Sequence, residues 1–412
     1  MIAKKGSFHD LAVHPGKSPS LRALGRRGPG DSLPLSTAFD SVLLALVILL
    51  WLVGAAFVDK FRDIVKNPVA VASLLLAILC GAGLFWGTPD RDAFSDAKTF
   101  LLIPLLLPLF REPRFRRYGL WAFLAAMSFI LLVSSLLFFD QLPPGGFWKG
   151  IPKNPYVTHN YITQNVLMAF AAFAWAAYAR LSGNLLVRAG GAVLALAAMG
   201  NILFMVPGKT GHVILAVLIL YYFFHWLGWK KGGAAALAFI VVLFGLAFAL
   251  PQSAFHQRTT QAVREFQEWG PGQKSTEVVN VVGYRMEFWK NSWGLFLEKP
   301  WKGWGTGSFP RVYAEKYRET GMILTDNPHN QYLLTAVELG LAGTVLLLAL
   351  FAVQWITAAS LPGPLYPLLA RGLVLTMATG SLFNSLLSDH TEALFFVFVS
   401  ALLFAGYEKG KA

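Results

Sequence analysis

The sequence predicts an all-α polytopic membrane protein, with about 12 transmembrane helices and a helical cap over one membrane face. Three observations lead there. First, 55% of the 412 residues are hydrophobic and only 14% charged, with a mean hydropathy of +0.53, whereas a soluble domain needs more charged surface. Second, apolar runs long enough to cross the hydrocarbon core recur along almost the whole chain. Third, a single long polar stretch, about 252–330, interrupts them. Lipid offers no partner for backbone N–H and C=O groups, so the runs must be helices. A transmembrane β-barrel would show alternation, and these runs are continuous.

Eleven apolar segments stand out, at about 38–58, 69–86, 97–110, 119–139, 162–179, 188–206, 210–228, 233–251, 331–357, 364–383 and 391–407. Lys and Arg in short loops set the orientation. Asp59–Lys66, Arg111–Arg117, Arg180 with Arg188, and Lys230–Lys231 are basic and all fall on one side if the segments alternate, which makes that side cytoplasmic. The loops at 87–96, 140–161 and 252–330 then lie outside the cytoplasm. The same alternation strands the basic N-terminus (Lys4, Lys5, Lys17, Arg22, Arg26, Arg27) outside. A twelfth element, a weak span or a re-entrant segment, removes the conflict. Residues 1–37 are expected to be a cytoplasmic or membrane-associated segment, without the apolar core of a signal peptide. Residues 38–251 form the first part of the bundle, 252–330 the outer loop, 331–407 the last three spans and 408–412 a cytoplasmic tail. Pro143–Gly146 and Leu361–Pro364 mark turns.

The net charge of +13 is spread over loops between spans. The cytoplasmic excess of Lys and Arg, plus a basic site for an anionic substrate, explains it better than nucleic acid does. Cys80 is the sole cysteine and lies in an apolar run, which excludes an internal disulfide.

The outer loop is too long and too patterned for a plain connector. Phe255–Trp269 has helical periodicity, with Phe255, Ala262, Phe266 and Trp269 able to line one side. Gly270–Gln273 breaks it. Val281–Pro300 reads as a second helix, with Met286, Trp289, Trp293 and Phe296 at three- or four-residue steps. Gly303–Pro310 is a glycine-rich turn, and Arg311–Thr320 a third, polar helix. Aromatics at these positions suit a membrane interface. The arginines at 258, 264, 285, 311 and 318 face an anionic ligand or, for Arg264, Arg311 and Arg318, solvate helices and meet lipid headgroups.

Pro328 precedes His329, which places the histidine at the opening of the ninth span, with Gly340 and Gly343 further along the same helix. Small residues there permit close helix packing. An imidazole at a membrane boundary is a reasonable general base; an interfacial histidine bonded to a carbonyl fits the residues equally. Lys209 opens the seventh span in Val206–Leu215. A cation at a helix N-terminus opposes the dipole, which points to a nearby anion or to snorkelling. His159 and Asn160 begin the fifth span and can orient a ligand or cap the helix. Asp389 and His390 form a local pair or help hold an acceptor. His212, His225 and His256 read as satisfied or interfacial histidines.

His329-Asn330, nine residues, then Gly340-Leu-Ala-Gly343 resembles the histidine motif of the O-antigen ligase and Wzy polymerase superfamily. Gly283–Phe309, with an Arg, then a Trp, then a Pro and a Gly-x-Gly turn, is similar to the block that precedes it in that family. Ser381–Phe396 resembles the tail of the ligases. The resemblance implies a GT-C-like fold and glycan transfer at the periplasmic face of the bacterial inner membrane. The donor it implies is an undecaprenyl-pyrophosphate-linked O-antigen, the acceptor a sugar hydroxyl of lipid A–core oligosaccharide, and no cofactor, metal or nucleic acid takes part. Consistent with that, the sequence has no Walker-type loop and no cysteine or histidine cluster at ligand spacing. It implies His329 as general base and Arg285 and Lys209 on the pyrophosphate, where the family has an arginine in place of Lys209. Arg258, Arg264, Arg311, Asn330 and His159 complete the expected substrate-binding set. A polymerase that uses a second lipid-linked glycan as acceptor is the alternative, with a protein-targeted oligosaccharyltransferase close to it. A polytopic transporter of lipid-linked glycans is the alternative from another class, and it calls for charges deep within spans and for repeat symmetry, which the sequence lacks.

Overall fold

The computed structural model describes residues 56–88, 98–143, 150–269, 280–320 and 323–408, with Leu49, 51–54 and Trp148. The chain forms two units, Met1–Ala55 and Ala56–Ala412. In the first, Trp51–Val53 is helical. The expected N-terminal segment 1–37, most of the first apolar segment, most of Pro143–Gly146, Gly270–Gln273 and nearly all of the C-terminal tail lie outside the described residues.

Every regular element among the described residues is a helix. Five are long and apolar enough to cross a membrane, and one bent pair raises the number to six. That is fewer than the about twelve spans expected from apolar runs of roughly 20 residues. The difference has identifiable sources: the seventh and eighth runs are two helices that meet at a reversal and count once, most of the first run lies outside the described residues, and several others are shorter than a perpendicular crossing needs.

Helix α1 (Phe57–Lys66) occupies the stretch expected to be a basic loop. It repeats Phe57, Phe61 and Ile64 along one side, the period of an amphipathic helix. It meets α2 (Pro68–Gly83) at 93°. Asn67 makes the corner: its Oδ1 accepts from the N–H of Val69 (3.0 Å) and Ala70 (3.3 Å), and its Nδ2 donates to the carbonyl of Phe404 (2.8 Å). Pro68 at the first helical position costs no hydrogen bond. Helices α3 (Leu102–Leu106), which tightens into a 3₁₀ turn, and α4 (Pro113–Phe138) follow.

Helix α5 (Tyr161–Leu181) is the centre of the bundle. It is buried almost all round, and Ala169, Ala171, Ala172, Ala174 and Ala177 are each fully buried. Small side chains let neighbouring helices approach its axis. Helix α6 (Leu185–Gly200) ends in a π turn, Asn201–Met205. The amide of Asn201 donates to Ser134 Oγ (2.8 Å), which also accepts from Gln164 (3.0 Å) and donates to the Pro155 carbonyl (2.7 Å). All three side chains are fully buried, so the hydrogen bonds offset a desolvation cost of about 1–3 kcal/mol per group.

The seventh and eighth apolar segments form α7 (Lys209–Ala249), two helical halves joined where the chain turns back at Gly228 (φ 72°, ψ 178°). The rings of His212, near its start, and Phe244, near its end, both touch Phe255, at 5.2 and 5.1 Å. A straight helix would separate them by about 48 Å at 1.5 Å per residue. The basic pair Lys230–Lys231 therefore sits at a turn, as the charge pattern predicts.

The outer loop folds as three helices: α8 (Ala254–Glu268), α9 (Val281–Glu298) and α10 (Phe309–Tyr317). The buried face of α9 differs from the expected aromatic stripe. It is Glu287, Phe288, Asn291, Ser292 and Leu295, while Trp293 is 52% exposed. Two of the polar members have partners waiting: Asn291 donates to the Tyr313 hydroxyl at 2.9 Å, and Ser292 Oγ to the Phe288 carbonyl at 2.6 Å. The Tyr313 hydroxyl is pushed up to about 12 by burial.

Helix α11 (Gln331–Thr357) is broken at Gly340 (φ 63°, ψ −158°), a conformation open in practice only to glycine. The expected role of Gly340, packing helix on helix, is corrected here. The glycine-rich loop enters the break: Gly305 N–H donates to the Glu338 carbonyl (2.7 Å), Trp304 N–H to Val337 (2.9 Å), and Leu341 N–H to Pro300 (2.7 Å). A Cβ on Gly340 would lie 2.5 Å from the Trp301 carbonyl, and one on Gly303 2.4 Å from the Glu338 carbonyl. The same loop closes the end of α2, where Thr306 Oγ1 donates to the Cys80 carbonyl at 2.6 Å and its N–H to that of Gly83 at 3.2 Å. Helices α12 (Leu365–Gly380) and α13 (His390–Phe404) complete the bundle.

Gly340→Ala forces both a positive φ and a collision with backbone. It should cost at least about 2 kcal/mol, read as a lower melting temperature of the purified protein, while Gly363→Ala, with φ 66° but open space around it, should cost less.

Candidate active site

His329 is held by its neighbours in sequence. The Asn327 side chain accepts from the His329 N–H at 2.7 Å, a turn that Asn favours, and also from Ser385 Oγ at 2.7 Å. His329 thereby takes φ 53°, uncommon for a residue with a side chain. The expectation that it opens the ninth span needs correction by two positions. The helix starts at Gln331, and Asn330 is its N-cap, accepting from Leu333 N–H at 3.0 Å. The other end of that amide donates to the Leu382 carbonyl (3.0 Å). Asn330, expected to bind substrate, thus spends both ends of its side chain on structure.

The turn after α12 is stitched to the same place. Gln331 N–H donates to the Ser381 carbonyl, and Leu387 N–H to Gln331 Oε1, both at 2.9 Å. From the other side, α9 supports the loop. Trp289 Nε1 donates to the Pro328 carbonyl at 3.1 Å, and the Phe288 ring lies 6.3 Å from the imidazole. Three elements distant in sequence therefore fix one histidine.

Arg285 lies on the same face of α9, one turn before Trp289. Its Nη2 donates to Asn384 Oδ1 at 3.4 Å, and Asn384 Nδ2 donates to Thr210 Oγ1 at 2.6 Å. Arg285 Nε is buried without a hydrogen-bond partner. Thr210 is adjacent to Lys209, so the Asn384 bridge joins the two cationic positions. The turn before Lys209 is set by Asn165, which donates to the carbonyls of Val206 (3.0 Å) and Gly208 (3.2 Å). Lys209 Nζ stands 3.7 Å from Glu265 Oε2 on α8. Arg258, two turns earlier on α8, lies over the Tyr161 ring (5.8 Å) and donates to Gln261 Oε1 (2.9 Å). The charges of Arg258 and Arg285 both bear on Lys209, and that of Arg285 bears on His329. Lys209, Arg258, Arg285 and His329 are thus electrostatic neighbours.

Other expected residues stay apart from this group. Arg311 pairs with Glu315 at 2.7 Å and its side chain is 61% exposed. Arg264 is exposed on α8, and His159 is exposed just before the Asn160 that caps α5. Glu265, Thr210, Tyr161 and Asn384 join the site without having been singled out for it. Asn384 lay inside the ligase-like tail segment, but an acid on a polar helix, such as Glu265, carries no signal of its own.

Burial, then the Arg285 charge, push the His329 imidazole down to about 4, with Asp326 pulling the other way. At neutral pH it is uncharged and free to accept a proton. Burial also lowers the Arg285 guanidinium, which nonetheless stays protonated. Buried guanidinium and ammonium groups beside a neutral imidazole can hold an anion and take a proton from a hydroxyl next to it. Among the described residues, no group of three or more His, Cys, Asp or Glu is placed to hold a metal ion.

No curated protein matches the chain significantly. The family model described as O-antigen ligase matches residues 192–348. That stretch runs from the middle of α6 through α7, the three outer helices and the break in α11, and it contains Lys209, Arg258, Arg285 and His329. The Gly283–Phe309 block and the His329–Gly343 motif lie inside it, and Ser381–Phe396 lies outside. The match over residues 192–348 is consistent with a member of the O-antigen ligase family.

Proposed function

We propose that this protein is an O-antigen ligase that moves a glycan from undecaprenyl pyrophosphate to a sugar hydroxyl of lipid A–core, at the periplasmic face of the inner membrane. The observation that carries the proposal is the meeting of Lys209, Arg258 and Arg285 with His329, from four separate parts of the chain. In this reading Arg285 and Lys209 hold the pyrophosphate. Charge grows on the leaving phosphate as the bond to the anomeric carbon breaks, and cations fixed in a low-dielectric site stabilise it. The acceptor oxygen forms the new bond, and its proton passes to the imidazole of His329.

The state of His329 fits that order of events. Without donor, burial and then the Arg285 charge keep the imidazole a weak base. Phosphates paired with Arg285 offset that charge, so the imidazole becomes more basic once donor is bound. The base is then strongest when the hydroxyl needs it.

The assay is ligation with purified lipid-linked donor and O-antigen-free lipopolysaccharide. His329→Ala should lower the rate by ~10²–10⁴-fold with donor binding largely kept; wild-type turnover would remove the histidine from the mechanism. Arg285→Ala should weaken both binding and turnover.

The pH profile offers a separate check. The rate should fall as pH drops and the imidazole protonates. The limb for kcat/KM should lie near the free-enzyme value of about 4, and the limb for kcat should lie higher. Coincident limbs would argue against a base that is tuned by donor.

A deletion strain separates ligase from polymerase. Loss of all capped core while donor-linked polymer persists marks the ligase. Core that still carries a single repeat marks the polymerase.

A further inference from the structure

The cationic cluster holds one carboxylate that the roles above leave unused. Glu265 is 7% exposed. Its Oε1 accepts from Gln261 Nε2 at 2.6 Å, and its Oε2 accepts from Val282 N–H at 3.2 Å and faces Lys209 Nζ at 3.7 Å. An anion in a site for anions calls for a reason. Capping α9 is not sufficient, because Asn280 already caps it by accepting from Gly283 N–H at 2.7 Å. A glutamine would also accept from Val282. What only a carboxylate supplies is charge.

The charge count gives a reason. Lys209, Arg258 and Arg285 bring three positive charges, and Glu265 removes one, which leaves two. A lipid-diphosphate-sugar, as a diester, carries two negative charges. Transfer breaks the bond between the anomeric carbon and the phosphate oxygen. The electron pair stays on that oxygen, the acceptor proton goes to His329, and the prenyl diphosphate left behind carries up to one charge more. We propose that Glu265 matches the site to the donor's charge: it keeps Lys209 ordered while the site is empty, and it repels the more highly charged prenyl diphosphate after transfer, so that product leaves. Glu265 is a specificity-determining residue here, and the inference rests on the pyrophosphate reading above.

The experiment uses the full-length protein in lipid nanodiscs, with undecaprenyl diphosphate and the sugar-bearing donor as probes, each titrated directly and as inhibitor or substrate in the ligation assay. Glu265→Gln should tighten undecaprenyl diphosphate by about tenfold, and the donor, with fewer charges, by about fivefold. Product inhibition should rise and kcat fall, while kcat/KM for donor does not fall. A merely structural cap would instead lower kcat/KM and leave product inhibition alone, and that result overturns the inference. So does unchanged or weaker binding of undecaprenyl diphosphate. Should Glu265→Gln fail to fold, the wild-type protein decides: it should prefer undecaprenyl diphosphate over donor by less than about tenfold, and a larger preference overturns the inference. Failure of the wild type to bind either lipid refutes the pyrophosphate reading itself, and the inference with it.

Discussion

The arrangement of this protein depends on a helix that stops bonding to itself. Where α11 breaks at Gly340, its freed backbone groups need partners, and in an apolar surrounding each unmet group costs several kcal/mol. The loop Pro300–Ser308 supplies them through main-chain hydrogen bonds, three of which are 2.7–2.9 Å long. The price is steric. Gly303, Gly305 and Gly340 all have positive φ and no room for a Cβ against backbone. The break thus ties the outer helices to the bundle, and the tie holds α9, with Arg285 and Trp289, against the loop that carries His329.

A second constraint follows from burying charge. Three cations in one partly buried region repel one another, and each loses water. The chain answers with Glu265, with the Asn384–Thr210 bridge and with the Tyr161 ring beneath Arg258. These contacts satisfy part of the demand and leave Arg285 Nε without a partner. A stability argument alone would not place the residues so. An incompletely paired cationic cluster beside a neutral imidazole is what the proposed transfer from a diphosphate to a hydroxyl calls for.

Much of this was legible in the sequence. The apolar runs became helices close to their expected positions, the three outer helices lie within a few residues of the predicted ones, and the basic turn at Lys230–Lys231 fell where the charge rule put it. Arg285, Lys209 and His329 were named from their motif, and Arg258 from its loop. The expected site residues that lie apart from the cluster, or serve the backbone, share a cause. Arg264 and Arg311 sit on outer helices whose exposed faces look like any other polar face in one dimension. Asn330 is an N-cap, a role that the sequence signals as strongly as binding.

Composition and periodicity by themselves determined that the chain is helical, apolar enough for a membrane and basic at its loops, because hydrogen-bond satisfaction in lipid admits few other solutions. Tertiary structure alone decided that α7 turns back on itself, that a glycine loop completes α11, and that Glu265 joins the cations. Each of these turns on contact between residues tens of positions apart, such as Arg285 with Asn384 and Lys209 with Glu265, and local spacing carries no record of such contacts.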